Sequence, residues 1–346
     1  LVSAMAWLTI PALAGPLLGP PVGGFITTFA SWHWIFRINV PIGIAGIAAT
    51  LRYLPELPAF EPAPLDWRGF MLVAGCASGM IFGFSVISLP ALPVEAGMAA
   101  VVTGIACGIL YYFHAHRTER PILSLSLLES GPFRASVTGG SLFRIGIGAV
   151  PFLLPLMLQL GYGLSPFESG MITFVSAIGA MSMKFVAARI FAAYGFRAVL
   201  LASGVIASAT VALTSAASPV AGYVWALYLV LLAGGFSRSL FFTGINALAF
   251  LDISDREASQ ATAFSAVAQQ TSIAMGVAVA GGVLEATMRL GSGELGIGNF
   301  QIAFVVVAAI MVLGVIPLLR IDPKAGAVVA SQIEERAREE VASPAQ

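Results

Sequence analysis

The chain has 346 residues, of which 58% are hydrophobic and only 10% charged, and its formal net charge is zero. Soluble domains carry about 25% charged residues, so this composition, with a mean hydropathy of +0.92, excludes a single soluble core. The zero net charge argues against a nucleic-acid partner, because nucleic-acid-binding proteins present a basic surface. We therefore predict an all-α polytopic membrane protein whose main surroundings are the lipid bilayer.

The first predicted helix, about Val2–Phe29, ends in a segment rich in glycine and proline. Gly15, Gly19 and Gly23 recur every four residues, so in a helix they share a face that another backbone can approach closely. The prolines between them remove backbone donors and predict a bend. The pattern resembles the antiporter motif of drug:proton exchangers of the major facilitator superfamily, and the matching residues are Gly15, Gly19, Pro20, Gly23 and Gly24.

A second block, at residues 31–43, follows after a short turn. It resembles a signature of the fourteen-helix class of that superfamily, which holds the EmrB/QacA-like exporters, and its Trp-His-Trp variant is similar to the MdtD-like exporters. The matching residues are Trp32, Trp34, Phe36, Asn39, Pro41 and Gly43. A glycine-rich helix alone is weak evidence, but the two blocks in this order indicate the family strongly.

Nine further spans are predicted, because a bilayer-crossing helix needs roughly 20 apolar residues. They lie at about Trp34–Tyr53, Gly69–Leu89, Ala96–His114, Ala135–Leu160, Ser169–Ala188, Ala198–Ala217, Gly222–Ala247, Ala258–Leu284 and Asn299–Leu319. Between them, residues 54–66 form a proline-rich acidic linker and residues 116–134 a polar one. No soluble domain is predicted between the spans.

The resemblance implies a major facilitator fold, in which two six-helix bundles rock around a site at the bilayer midplane. The first span here aligns with the fifth helix of the class, so we expect the sequence to be N-terminally truncated by four helices. Residues 1–54 would then be the last two helices of the N-terminal bundle, 55–116 a linker and two inter-bundle helices, 117–321 a linker and the six-helix C-terminal bundle, and 322–346 a cytoplasmic tail. The oligomeric state is left open.

Basic residues predict the orientation, because cytoplasmic loops carry an excess of Lys and Arg. If the spans alternate, twelve of them share one side: Arg52, Arg68, Arg117, Arg120, Arg134, Arg189, Arg197, Arg256, Arg320, Lys324, Arg336 and Arg338. The opposite side holds Arg289 and, near a helix mouth, Arg37. We therefore predict a multi-pass protein of the plasma membrane, the inner membrane of a bacterium, with its C-terminus in the cytoplasm.

Charged residues inside spans are costly, about 2.5–3.5 kcal/mol at a helix centre, so each needs a reason. Arg144 lies near the predicted midplane, with Gly139, Gly140, Gly146 and Gly148 leaving room for a ligand or a neighbouring helix. Arg238 is followed at four-residue steps by Phe242 and Asn246. For both arginines a structural pair remains the alternative to a role in transport. The candidate transport-pathway residues are Arg144, Gln159, Arg238, Asn246, Gln269 and Gln270.

Other side chains in the spans allow two interpretations each. Ser265, Gln269 and Ser272 share a helix face, which either bonds to a neighbouring helix or lines a cavity, since lipid cannot satisfy it. Lys184 lies near a helix end and is interpreted as structural, because a long side chain can reach the interface there. Packing is favoured over an apolar wall for lipophilic cations at Phe143, Phe152, Met157, Phe241, Phe242 and Phe264.

Several other chemistries are disfavoured. Cys76 and Cys107 lie in apolar runs and are interpreted as buried fillers rather than a disulfide or a metal site. No Cys, His and carboxylate cluster has metal-ligand spacing, and no phosphate-binding loop indicates ATP. We predict no cofactor, no metal, no catalytic residues and no enzymatic activity.

The acidic residues map to linkers, loops, helix ends or the tail, and Glu257 and Glu285 come closest to the membrane interior. Proton coupling to cation export usually requires a buried carboxylate with a raised pKa. The family's usual candidate, an aspartate on the first helix, belongs to the part that the sequence does not contain.

The leading functional hypothesis is secondary active transport: proton-coupled export of drugs or toxic small molecules by alternating access. Its partners would be lipophilic small molecules, protons and the lipid bilayer. Two alternatives remain, an exporter of a specific metabolite, since a fold does not fix its cargo, and a transport-inactive truncated remnant.

Overall fold

The computed structural model describes residues 19, 21–53, 65–88, 93–118, 121–216, 224–254, 257–291 and 294–321. Regular structure in these ranges is helical. Helix α1 comprises residues 21–29, and α2 is His33–Tyr53 with a turn at Ile38. The others are α3 Trp67–Ser88, α4 Val94–Ala115, α5 Gly131–Leu156, α6 Pro166–Tyr194, α7 Phe196–Thr214, α8 Val224–Ala249, α9 Ala258–Leu290 and α10 Ile297–Leu313.

The described helices match the predicted spans closely. Nine of them, α2 to α10, are long and apolar enough to cross a membrane, and they correspond one to one with the second to tenth predicted spans. The first predicted span lies mostly outside the described residues, apart from its last part in α1. These findings confirm an all-α polytopic membrane protein.

Among the helix ends that differ from the prediction, two differ for identifiable reasons. Helix α9 continues to Leu290, past the predicted end at Leu284, because Glu285 and Arg289 form an ion pair one turn apart that supports a further turn. Helix α10 ends at Leu313 and is followed by a short 3₁₀ turn, Ile316–Arg320, because Pro317 has no N–H with which to continue the α-helix.

Helix α5 is shaped by its cap and its prolines. Its first turn is capped by Ser130, whose hydroxyl accepts a hydrogen bond from the backbone N–H of Phe133 at 3.3 Å. Pro151 and Pro155 lie inside the helix, and the helix then widens into a π-turn at Met157–Gly161. Each proline deletes a backbone hydrogen bond, so this half of α5 is less regular than the first half.

Helices α5 to α10 pack into one bundle, with α5 in contact with α8, α9 and α10. Its interior is apolar and includes the fully buried rings of Phe143, Phe241 and Phe300. Glycines permit the close crossings: a Cβ atom on Gly139 would lie only 2.6 Å from the carbonyl oxygen of Gly314 in the segment after α10. Backbone contact of this kind holds helices together in lipid, where burial of apolar surface gives no driving force between them.

Helices α3 and α4 form an antiparallel hairpin, and α3 also packs on α9. A Cβ atom on Gly79 would lie 2.8 Å from the backbone of Gly104, so the two helices touch through their glycines. The free thiols of Cys76 and Cys107 fill the same interface, opposite Gly108 and Gly75 respectively. The hairpin is therefore attached to the C-terminal bundle through one of its two helices.

Candidate functional site

The described helices α5, α6 and α8 line an open-sided cavity of about 790 Å³. Helix α5 contributes an apolar wall that includes Ile147, Val150 and Leu154, and α8 contributes Phe242. The remaining lining residues are Pro151, Pro155, Thr173, Ser176, Ala177, Ala180, Lys184, Gly235, Arg238, Ser239, Thr243 and Asn246. A cavity of this size, largely apolar and with a few polar groups, has the character of a small-molecule site.

Arg238 lies at the contact between α6 and α8. Its guanidinium donates a hydrogen bond to the hydroxyl of Ser176 on α6. Phe242 and Asn246 line the same cavity, as their four-residue spacing from Arg238 predicts. Arg238 therefore both joins two helices and presents a cation to the cavity.

Arg144 lies behind the cavity wall and is only 4% exposed. Its Nη2 donates to the Oδ1 of Asn246 at 2.9 Å, and its guanidinium carbon lies 5.4 Å from the centre of the Phe242 ring. Its Nε is buried with no hydrogen-bond partner among the described residues. Burial of a cation costs several kcal/mol unless it is paired, so the amide and the ring compensate this charge only in part.

The glycines around Arg144 do not leave room for a ligand, contrary to that part of the expectation. A Cβ atom on Gly140 would lie 2.7 Å from Nη1 of Arg144, so Gly140 makes space for the guanidinium itself. Gly139 and Gly146 face Gly314 and Met311, and Gly148 faces Ile273 on α9. These three glycines serve helix packing because their neighbours occupy the space that a side chain would need.

Of the six candidate pathway residues, Arg238 and Asn246 line the described cavity and Arg144 lies behind its wall. The other three lie apart from it: Gln159 in the π-turn after α5, and Gln269 and Gln270 on α9. On the same helix Ser272 donates to the carbonyl of Ala268 at 2.6 Å, which satisfies it within its own helix. The polar stripe of α9 therefore does not contribute to the cavity.

Lys184 lines the cavity, a placement that the sequence interpretation does not include. The sequence predicts a structural role at a helix end, yet Lys184 is exposed and lines the cavity together with Ser176 and Ala180. These three residues follow one another at four-residue steps on α6, as Arg238, Phe242 and Asn246 do on α8. That matching periodicity is the signal in the sequence for the second wall.

The aromatic residues mainly serve packing, as predicted. The rings of Phe143 and Phe241 stack at 3.9 Å, and Phe264 packs on Phe133 at 5.7 Å. Phe242 is the member of the predicted aromatic set that lines the cavity. A continuous wall of aromatic and methionine side chains is not found among the described residues.

The antiporter-like motif meets the C-terminal bundle at one point. A Cβ atom on Gly24 would lie 2.8 Å from the carbonyl oxygen of Pro166 at the start of α6, and Phe29 packs against Phe167 at 6.0 Å. At Gly19 and Gly23 no heavy atom of the described residues lies within 4 Å of such a Cβ. The close approach is therefore found at Gly24. Gly15 and Pro20 lie outside the described residues.

The second block of family residues forms local contacts on an exposed helix. Trp32 stacks on His33 at 3.9 Å, and the side-chain amide of Asn39 donates to the carbonyl of Ile35 at 3.3 Å. Trp34 and Phe36 are exposed, Pro41 is exposed, and a Cβ atom on Gly43 would have no described heavy atom within 4 Å. These residues therefore do not line the cavity.

A polar cluster lies where α3 begins and α4 ends. One carboxylate oxygen of Asp66 accepts from the backbone N–H of Gly69 and contacts Nε2 of His114, both at 2.8 Å. Partial burial acts to raise the pKa of Asp66, but the hydrogen bonds from Gly69 and His114 outweigh it and hold the pKa below its ordinary value. Nearby, the hydroxyl of Tyr111 donates to the carbonyl of Leu123 at 2.6 Å. The described residues contain no cluster of three or more His, Cys, Asp or Glu that could hold a metal ion.

Comparison with known proteins agrees with the fold. Three bacterial relatives, provisionally named multidrug resistance protein MdtD, are similar to the chain. They come from Serratia proteamaculans (37% identity over 81% of the chain and 58% of the relative), Cronobacter sakazakii (37%, 82% and 60%) and Pectobacterium carotovorum (34%, 85% and 63%). The chain thus spans about three fifths of their length.

Among solved structures, that of the nucleoside transporter NupG covers 70% of the chain and 64% of its own at a TM-score of 0.44 and 16% identity. That likeness is too low to carry an argument. The profile of the Major Facilitator Superfamily, in contrast, matches residues 1–276 and 136–343. The chain therefore belongs to the Major Facilitator Superfamily, whose members are multi-pass membrane transporters.

Proposed function

We propose that the chain forms part of a secondary active transporter that exports lipophilic small molecules in exchange for protons. The observation that carries the proposal is the cavity of about 790 Å³, in which apolar side chains of α5 face the polar residues Ser176, Arg238 and Asn246 of α6 and α8. A site between bundle helices is where transporters of this kind bind their cargo. The relatives named for multidrug resistance support export over uptake.

In this proposal the chain supplies about three fifths of the transporter, in line with its share of the relatives' length. Residues 1–54 are the end of an N-terminal bundle, 55–116 hold the inter-bundle helices, 117–321 hold the C-terminal bundle, and 322–346 are a cytoplasmic tail. The distribution of Arg and Lys supports a cytoplasmic C-terminus in a bacterial inner membrane. The contact of Gly24 with Pro166 would close the seam between the two bundles.

The described residues that line the cavity include no carboxylate. The proposal therefore assigns proton exchange to a group elsewhere, and Arg144 and Arg238 to the shape and charge of the cargo site. No bond is made or broken in this cycle, so no enzymatic step and no cofactor enters it.

Dye uptake into everted membrane vesicles tests the proposal directly, because an exporter moves its cargo into such vesicles. Vesicles containing the chain are energised so that their interior becomes acidic. Uptake of ethidium and of pyrenebutyrate is then followed by fluorescence. We expect at least one dye to accumulate, and dissipation of the gradient by an uncoupler to stop it. Vesicles without the chain are the control.

Accumulation that ignores the uncoupler would overturn proton exchange, and no accumulation of any dye would favour the transport-inactive remnant. Arg144→Ala sharpens the test, because loss of its bond to Asn246 should lower uptake while leaving membrane insertion intact. Unchanged uptake in that variant would assign Arg144 to packing.

A further inference from the structure

The charge balance of the cavity is one-sided. Two cationic side chains, Lys184 and Arg238, line it, and the described lining residues include no Asp or Glu. Arg238 is half-buried there, so its charge interacts more strongly with an occupant of the cavity than a fully solvated charge would. An occupant that carries a positive charge would be repelled by both.

A third cation reinforces this field from behind the wall. Arg144 reaches the cavity through Asn246, whose Oδ1 accepts its hydrogen bond at 2.9 Å. Asn246, which lines the cavity, therefore turns its amide oxygen toward Arg144, and the NH₂ group of the same amide can only donate. Like the two cations, that donor suits an acceptor on the occupant.

The carboxylates of the described residues are engaged elsewhere or lie outside the cavity. Within the described ranges the ion pairs are Asp66 with His114 and Glu285 with Arg289. Glu168, the acidic residue of α6, caps its own helix by accepting from the N–H of Ser165 at 2.8 Å. The positive charge of Arg144, Arg238 and Lys184 is thus left without a described counter-charge.

We propose that this cavity binds an amphipathic organic anion, with its carboxylate or sulfonate between Arg238 and Lys184 and its apolar body against Ile147, Leu154 and Phe242. The inference rests on the proposed function and names the class of cargo. It departs from lipophilic cations, the cargo that a wall of aromatic side chains would favour. An anion supplies the counter-charge that a desolvated arginine needs, and Arg can hold a carboxylate with two hydrogen bonds.

Two probes with the same pyrene body and head groups of opposite charge test the inference. The full chain is reconstituted in nanodiscs of zwitterionic lipid, and pyrenebutyrate and pyrenebutylammonium are titrated by fluorescence against nanodiscs without protein. We expect pyrenebutyrate to bind at least about tenfold more tightly, as one charge-assisted hydrogen bond allows. Equal affinities, tighter binding of the ammonium probe, or no binding of either would overturn the inference.

Matched variants locate the effect. Arg238→Gln and Lys184→Gln should each weaken pyrenebutyrate binding about tenfold and leave or improve binding of the ammonium probe. Lys184 is exposed, so its variant is informative even if Arg238→Gln fails to fold. Arg189→Gln is the control, because Arg189 is an exposed cation on the same helix that does not line the described cavity. Equal loss in Arg189→Gln would overturn the inference.

The binding and export assays can fail separately. Export of ethidium together with tighter binding of the ammonium probe overturns the anionic cargo and leaves the exporter intact. Selective binding of pyrenebutyrate without export of any dye upholds the charge preference of the cavity and overturns the transport proposal.

Discussion

Helices α2 and α8 are equally apolar, yet the described residues bury none of α2 and about two fifths of α8. Each has a mean hydropathy of 1.5 over its most apolar segment, but the buried share of that segment is 0% in α2 and 39% in α8. Both also contain glycines. Gly43 of α2 has no described neighbour, whereas a Cβ atom on Gly235 of α8 would collide with the carbonyl oxygen of Ser176.

The difference shows that hydropathy and glycine contacts report different properties of a helix. Hydropathy reports that a segment can lie in lipid, and both helices satisfy that requirement. Packing depends on small residues that face a specific neighbour, and the contact of Gly235 with α6 is of this kind. A glycine in a membrane helix is therefore a packing residue only where a partner backbone occupies the space next to it.

The strongest test of this comparison exchanges a glycine in each helix for a large residue. Gly235→Leu must separate α8 from α6, and overpacking of this kind costs about 3 kcal/mol. Gly43→Leu meets no described atom and should change stability by less than about 1 kcal/mol, including its better helix propensity. Thermal unfolding of the purified proteins in detergent measures both. Similar shifts in the two variants would show that a neighbouring backbone does not determine the cost of replacing a glycine.

Much of the fold follows from the sequence because lipid imposes simple rules. A span must be long and apolar, so α2 to α10 could be located without knowledge of their partners. Helix ends are less certain, because polar contacts such as that between Glu285 and Arg289 extend a helix beyond its apolar segment. Part of the site was also predictable, because four-residue steps place Arg238, Phe242 and Asn246 on one face of a helix.

The rest of the site depends on which helices are neighbours, and one helix's periodicity does not contain that information. Lys184 lines the cavity because α6 lies opposite α8. Gln269 and Gln270 do not join it, although their helix also contacts α5, because the described cavity is walled by α5, α6 and α8. The roles of the glycines near Arg144 likewise depend on their neighbours in space. Gly140 makes room for the guanidinium of Arg144, and Gly148 makes room for the backbone of Ile273 on α9.

The antiporter-like motif contains both kinds of glycine, one with a close neighbour and one without, and the expected loss of stability is intermediate. Gly24→Leu should displace α1 from the start of α6, because its side chain would meet the backbone of Pro166, at a cost of about 1–3 kcal/mol. Gly19→Leu should have little effect, since no described atom is near. Thiols placed by Phe29→Cys and Phe167→Cys, with Cys76 and Cys107 changed to Ala, report the contact through their cross-linking yield.

We expect a severalfold lower yield in Gly24→Leu and an unchanged yield in Gly19→Leu. The opposite ranking would show that the functional contact of the motif lies at Gly19 and not at Gly24. An unchanged yield in both would contradict the assignment of the Gly24 contact as the one that holds α1 at the start of α6.

The smallest effect is expected at the polar cluster that joins the ends of α3 and α4, where contact depends on charge and not on backbone fit. Asp66→Asn keeps a side chain able to cap α3 but removes the carboxylate that faces His114. Because the folded-state pKa of Asp66 lies below its ordinary value of 3.8, the wild-type advantage is present above that value. It is lost as the pH falls through the folded pKa.

Chemical unfolding of both proteins in detergent should therefore show wild type more stable by about 1 kcal/mol or less near pH 6. The two stabilities should converge once the pH has fallen below the folded-state pKa of Asp66. His114→Ala is the matched background, in which Asp66→Asn should cost less because one of the two contacts of the carboxylate is already gone. An advantage that grows on acidification would contradict the assigned direction of the pKa.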